Sequence, residues 1–245
     1  MRATDWEFRH RFWIYLVIFT IAYSCYAIDG LNVVAWAVRT ARGTLHPPGD
    51  VPVGVYRSIF FVGAALAALG AWLRTWAAAY LRSEVVHDAA LHAERLVADG
   101  PYRHLRNPLY VGFMLAAVGL AAMASRLGAA VIFVGVPLFT LRLIGREEAA
   151  LTASGGAGYR AFRAAVPRLL PALRPRLPAS GMQSRWGQAF AGETFFWAVA
   201  LALAVFAATL RLQLYFWVLG GAFALRWLLA VLWWRRHRGR PVTSG

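Results

Sequence analysis

Long apolar runs, broken by short polar stretches, set the rhythm of this chain. Six windows carry few charges: Phe12–Ile28, extendable through Val38; Ile59–Leu81; Leu109–Ala124; Leu127–Ile144; Phe190–Leu210; and Leu212–Trp234. Each is near the ~20 residues that a helix needs to cross a hydrocarbon core of ~30 Å. The pattern predicts an all-α fold, a polytopic transmembrane helix bundle of about six membrane segments.

The polar stretches refine that picture. Asp29 and Asn32 fall near the far end of the first segment and read as a solvated helix end. The Pro/Gly-dense loop Gly43–Gly54 reads as an extended connection. Arg74 lies inside the second segment, where it must snorkel or pair within the bundle. From Arg82 to Gly100 apolar positions recur with a helical period, which predicts an amphipathic helix along the interface, stopped by Asp99-Gly100-Pro101. Between the third and fourth segments only Ser125-Arg126 interrupts the apolar pattern, so the two form a tight helical hairpin. Both are rich in Ala and Gly, which lets helix backbones approach closely in lipid. Tyr159, Phe162 and Val166 share one helical face and predict a second interfacial helix ending at Pro167, followed by a Pro/Arg-rich linker over Arg168–Ser180.

Charge gives the chain a direction. The formal net charge is +15, and all 26 basic residues are Arg. With six spans and the N-terminus inside, 19 arginines fall on the cytoplasmic side and five on the other. The positive-inside bias supports that orientation, with both termini cytoplasmic, and explains the basic balance without nucleic acid. The single cysteine, Cys25, sits in an apolar run, reads as a small buried residue, and supports neither a disulfide framework nor a metal site by itself. Trp6, Trp13, Trp233 and Trp234 read as interface-belt aromatics.

Two polar clusters then converge. GPYRHLRNPLYVG, residues 100–112, enters the third segment, and Arg146-Glu147-Glu148 leaves the fourth. A short hairpin returns the chain to the side it left, so the clusters are neighbours. Together they offer backbone N–H groups, arginines and paired carboxylates. Arginine suits a carboxylate or phosphate, and a carboxylate at a helix end suits ribose hydroxyls or an ammonium group. A ligand with an amino-acid head and a nucleoside, as in S-adenosylmethionine, would use the whole set.

The span Leu96–Pro171 resembles the isoprenylcysteine carboxyl methyltransferase and phospholipid methyltransferase superfamily. The blocks that carry the likeness are Leu96-Val97-Ala98-Asp99-Gly100-Pro101-Tyr102, Arg106-Asn107-Pro108-Leu109-Tyr110-Val111-Gly112, Arg146-Glu147-Glu148, then Gly156, Tyr159 and Phe162, then Val166-Pro167-Arg168. The resemblance implies an integral membrane enzyme that uses S-adenosylmethionine, yields S-adenosylhomocysteine, and takes a lipid or lipidated acceptor from the bilayer, with no metal. It implies a core over 82–171, preceded by membrane segments over 1–81 and followed by a linker over 172–187 and a membrane pair with a basic tail over 188–245. Val97, Gly100, Pro101 and Tyr102 would line the nucleoside side. Arg106, Asn107, Pro108 and Tyr110 would sit against the cofactor, and Glu147 and Glu148 would hold its polar groups. Arg146 or Arg106 would orient the acceptor.

Two positions depart from the family pattern. Asn107 stands where relatives usually place His, and it cannot carry a proton at neutral pH. Glu94 stands where many relatives have another His, with His92 and His104 nearby. A carboxylate acceptor needs positioning and exclusion of water rather than a base. An amine acceptor needs a base, for which His87, His92 or a glutamate would serve. Carboxyl methylation of a prenylated cysteine and phospholipid N-methylation both stay open, with an NADPH-dependent sterol-type reductase and a non-catalytic scaffold or transporter more remote.

Overall fold

The computed structural model describes residues 2–41, 52–81 and 99–237. The predicted helix after Arg82, including His87, His92, Glu94 and Val97, lies outside the described residues up to Ala98, as do Arg238 and Arg240 of the tail and most of the Gly43–Gly54 loop. Among the described residues every regular element is helical. In chain order these are α1 (Asp5–Arg9), α2 (Arg11–Ser24) continued by a 3₁₀ turn over Cys25–Ala27, α3 (Val33–Ala41) and α4 (Val53–Tyr80). A 3₁₀ turn over Gly100–Arg103 leads to α5 (Pro108–Ala121) and α6 (Arg126–Ser154), followed by α7 (Gly156–Ala165), α8 (Trp186–Gly192), α9 (Thr194–Thr209) and α10 (Leu212–His237).

Three of these are long and apolar enough to cross a membrane: Val53–Tyr80, Arg126–Ser154 and Leu212–Leu229 within α10. The pair α8 and α9, bent by 62° at Glu193, makes a fourth if it counts as one span. Arg11–Ala27 and Pro108–Ala121 are apolar but shorter. All six apolar windows therefore fall on helix, while three or four reach spanning length.

The first segment does not extend through Val38. It stops at Ala27, and the chain breaks before Asn32, whose carboxamide oxygen accepts from Val34 N and Ala35 N and so starts α3 as a separate helix. Asp29 is not a solvated end either: at 6% exposure it accepts from Arg126 Nη2 at 2.9 Å and from Leu127 N at 3.1 Å. Asp29 and Asn32 thus fasten the first segment to the hairpin turn, since Asn32 Nδ2 also donates to Ala122 O and Ala124 O. Cys25 is half-buried.

Helices α4 and α5 run antiparallel, as do α2 and α6, and small residues let each pair close. A Cβ on Gly112 would stand 2.6 Å from Gly70 O, and one on Gly70 would overlap Gly112 O. The same reciprocal contact joins Gly63 and Gly119 one heptad away, so α4 and α5 touch backbone to backbone. In α6, Gly128 lies against Ala22 O and Gly135 against Ile18. The small residues of the hairpin therefore serve contacts to α4 and α2. Packing continues where α9 lies on α4, with Ala64 and Ala67 meeting Val199 and Leu203. Residues of α2, α5 and α6 form a second apolar cluster around Ala22, Ala121 and Ile132.

Candidate functional site

The turn at residues 100–107 depends on local backbone chemistry. Gly100 adopts φ +56°, a left-handed conformation, and a Cβ there would collide with the Tyr80 ring at the end of α4. Pro101 and Tyr102 are buried beneath it. Burial pushes the Tyr102 phenol up, as does the charge of Glu147, while Arg74 opposes, so Tyr102 stays a neutral hydroxyl. Asn107 precedes Pro108, which takes the first turn of α5 where its missing N–H is harmless.

The second cluster meets this turn as the hairpin demands. Successive residues on α6 point about 100° apart, so Arg146, Glu147 and Glu148 serve three different neighbours. Tyr110 donates its hydroxyl to Glu147 Oε1 at 2.7 Å. Glu148, 5% exposed, accepts from Asn107 Nδ2 at 3.2 Å. Arg106 Nη1 and Arg168 Nε each lie 3.2 Å from its carboxylate. Asn107 also donates to Arg168 O at 3.2 Å, which binds the motif to the Val166-Pro167-Arg168 block. Arg146 is turned away from this group. It pairs with Asp5 and lies over the Phe8 ring at 4.7 Å.

A strap completes the site. Residues 167–182, expected as a linker from Arg168, run back along the motif with regular backbone bonds. Arg106 N donates to Pro167 O at 2.9 Å, Ala172 N to His104 O at 2.9 Å, and Arg176 N to Arg103 O at 2.8 Å. Side chains reinforce the seam, Arg103 Nε donating to Leu177 O at 2.7 Å and His104 Nδ1 to Ala172 O at 2.8 Å. Asp99 is buried, which opposes its ionisation, yet the Ser180 hydroxyl and the Met182 and Ser180 amides hold its carboxyl below the usual range. Helix α7 supports the strap from below, with Tyr159, Phe162 and Val166 buried together as their spacing predicted.

Of the residues singled out in the sequence, Gly100, Pro101, Tyr102, Arg106, Asn107, Pro108, Tyr110, Glu147 and Glu148 are gathered at one end of the α5–α6 hairpin. Val97 lies outside the described residues. Arg168 joins the gathered residues through Glu148, and the Val166-Pro167-Arg168 block is the sequence signal that points to it. Arg2 and Arg163 carried no local signal. With Arg106, Arg168, Glu148 and Thr152 they line a cleft of about 480 Å³. Within the bundle, Arg74 meets Glu193 in a bidentate pair and also donates to Leu109 O at 3.0 Å.

Described residues that are helical wherever they are regular, with several membrane-length apolar helices and with a glycine–proline turn set against paired glutamates at one end of a hairpin, define an integral membrane protein with a polar site at one end of its bundle. Residues 58–154 match the model of the phospholipid methyltransferase family. Over 113 residues the chain is 33% identical to the protein-S-isoprenylcysteine O-methyltransferase of Schizosaccharomyces pombe, a stretch that covers 42% of this chain and 45% of that protein. The chain thus matches rather less than half the length of this curated relative. No solved structure matches it. The matched region is thus similar both to the phospholipid methyltransferase family and to an isoprenylcysteine O-methyltransferase, in agreement with the ordered motifs.

Proposed function

We propose that the protein is an S-adenosylmethionine-dependent methyltransferase of the membrane, acting on a lipidic or lipidated acceptor, and most like an isoprenylcysteine carboxyl O-methyltransferase. The observation that carries this reading is the meeting of the two motif blocks, in which Tyr110 grips Glu147 while Arg106 and Asn107 grip Glu148. The donor set fits the cofactor. Paired carboxylates suit an ammonium group and ribose hydroxyls, and the buried Tyr102 and the Gly100-Pro101 turn suit a nucleoside pressed against backbone. When bound, the cofactor supplies an electrophilic methyl group on a sulfonium.

The chain's own residues position and desolvate. Glu148 holds the Arg106 guanidinium, 11% exposed, at the edge of the turn, where it can orient an acceptor carboxylate or phosphate. Bundle helices exclude water, which leaves an acceptor carboxylate poorly solvated and reactive without a base. Arg146, tied to Asp5, orients the N-terminal helix over the site in this reading, so Arg106 is the stronger candidate for the acceptor. Both termini and the site face the cytoplasm. Phospholipid N-methylation is the second reading, favoured by the family model matched over 58–154.

Equilibrium binding of S-adenosylmethionine, S-adenosylhomocysteine and NADPH to the purified protein tests the class. Binding of neither sulfur nucleoside would sink the methyltransferase reading. Glu148→Gln should weaken cofactor binding about tenfold or more, the worth of one charge-assisted hydrogen bond. Labelled methyl transfer into total membrane lipid, compared with membrane protein, then separates the two acceptors.

A further inference from the structure

Arg74 lies inside the membrane-length helix α4, near its Tyr80 end, and each of its three guanidinium nitrogens is engaged. Nε and Nη2 donate to the two carboxylate oxygens of Glu193, and Nη1 donates to Leu109 O. The group therefore faces two elements at once, the bend between α8 and α9 and the first turn of α5. Its aliphatic stem reaches them by crossing Gly112, where a Cβ would stand 2.6 Å from Arg74 Cγ. The glycine that closes the motif thus admits this side chain as well as the α4 backbone.

Stability alone does not account for the pair. Glycines already bring α4 against α5, and α4 also meets α9 through Ala64, Ala67, Val199 and Leu203. The buried Thr75 hydroxyl adds a further tie, accepting from Trp197 Nε1 at 2.9 Å. Apolar residues of similar volume often hold such a contact as well as a buried ion pair does. What the pair adds is direction. A guanidinium is a planar fork, so once a carboxylate fixes two of its nitrogens the third has one place to point. Here it points at Leu109 O, one residue before Tyr110, whose hydroxyl bonds Glu147.

We propose that Arg74 is a positioning residue of the candidate site and that Glu193 aims it: through Leu109 O it fixes the first turn of α5, and with it the Tyr110 hydroxyl against Glu147. The consequence for S-adenosylmethionine rests on the methyltransferase reading, whereas the consequence for the turn does not.

The test compares the purified full chain with three variants: Arg74→Met/Glu193→Leu, Arg74→Lys and Thr75→Val. Each is measured by thermal melt, by S-adenosylmethionine titration, and by hydrogen exchange of the peptide over residues 107–114 without ligand. The double variant replaces the pair with apolar contact and should melt near the parent. Arg74→Lys keeps the charge opposite Glu193 but not the fork, and decides alone if the double variant does not fold. Both Arg74 variants should bind S-adenosylmethionine about tenfold more weakly and lose protection at 107–114. Thr75→Val should melt lower yet keep the parent's affinity and protection, because its bond to Trp197 has no link to Leu109. A merely structural role predicts instead that affinity follows melting temperature, so an equal loss in Thr75→Val would overturn the proposal. Parent-like affinity in both Arg74 variants would overturn it too. Lost affinity with unchanged exchange would also do so, since Arg74 would then act on the ligand directly. If the parent binds neither S-adenosylmethionine nor S-adenosylhomocysteine, the methyltransferase reading fails, and the exchange at 107–114 alone decides whether Arg74 fixes the turn.

Discussion

Arg74 and Glu193, 119 positions apart in the chain, meet inside the bundle with Nε–Oε2 at 2.6 Å and Nη2–Oε1 at 3.1 Å. Their side chains are 18% and 10% exposed. The same guanidinium lies over the Phe196 ring at 3.9 Å and bonds Leu109 O in the first turn of α5. One side chain of α4 therefore sets both the motif helix and the bend between α8 and α9. Glu193→Gln should destabilise the protein by roughly 2–4 kcal/mol, because the arginine keeps its charge and loses its partner. The Arg74→Met/Glu193→Leu double variant should cost less than the two single changes together. Thermal melts in detergent decide it, and additive losses would refute a coupled pair.

Close helix packing makes an opposite kind of forecast. Gly70→Ala places a methyl group on Gly112 O and 3.1 Å from Ala116 N, so α4 and α5 must separate. A loss of roughly 1–3 kcal/mol is expected. Gly220→Ala in α10 is the control, since nothing lies within 4 Å of a Cβ there, and helix propensity alone favours it. Equal melting points for the two variants would show that the Gly70 contact carries no weight.

Asn107 donates to Glu148, so its charge state matters more than its shape. Asn107→Ala should weaken S-adenosylmethionine binding by about tenfold through one lost hydrogen bond to a carboxylate. Asn107→Asp should be worse at neutral pH, because two carboxylates would then share the same few ångströms. Equal affinity of the Asp variant and the parent for the cofactor at neutral pH would remove the Asn107–Glu148 contact from the site.

The N-terminal helix offers a pH test with a definite sign. The hydrogen bond from Arg142 holds the Glu7 carboxyl down at about 2, and the Thr4 backbone bond adds to it. A folded-state value below the unfolded one means that this contact favours the docked helix above the unfolded range and is lost as pH falls through about 2. A carbon-13 titration of the Glu7 carboxyl should therefore show it ionised through pH 4. A midpoint near the ordinary value of 4.5 would mean that α1 does not dock through Arg142.

How much of this was visible in the sequence follows from range. Apolar windows and the hairpin break at Ser125-Arg126 depend on neighbours within a turn or two, and helices and turn fall where that spacing placed them. The face shared by Tyr159, Phe162 and Val166 was equally local. Contacts between distant segments were not legible. Nothing around Asp5 or Glu7 announces Arg146 and Arg142, and nothing around Ala172 announces His104. Asp29 shows the limit well: an acid near a helix end reads as solvated until Arg126, 97 positions later, closes on it. The abundance of Ala and Gly in the hairpin signalled close approach correctly, while the partners it serves, α4 and α2, required the fold.

The strap over residues 167–182 bears on biosynthesis. The ribosome delivers Arg103, His104 and Arg106 of the motif between 61 and 74 positions before the strap residues that hydrogen-bond them, from Pro167 O on Arg106 to Leu177 O on Arg103. During that interval α5 and α6 can enter the membrane as a hairpin while the turn above them still lacks its backbone partners. A nascent chain released before Pro167 would carry every motif up to the paired glutamates and still have an unfinished mouth. Maturation of the site is thus tied to translation of a stretch that lies outside every membrane-length apolar helix.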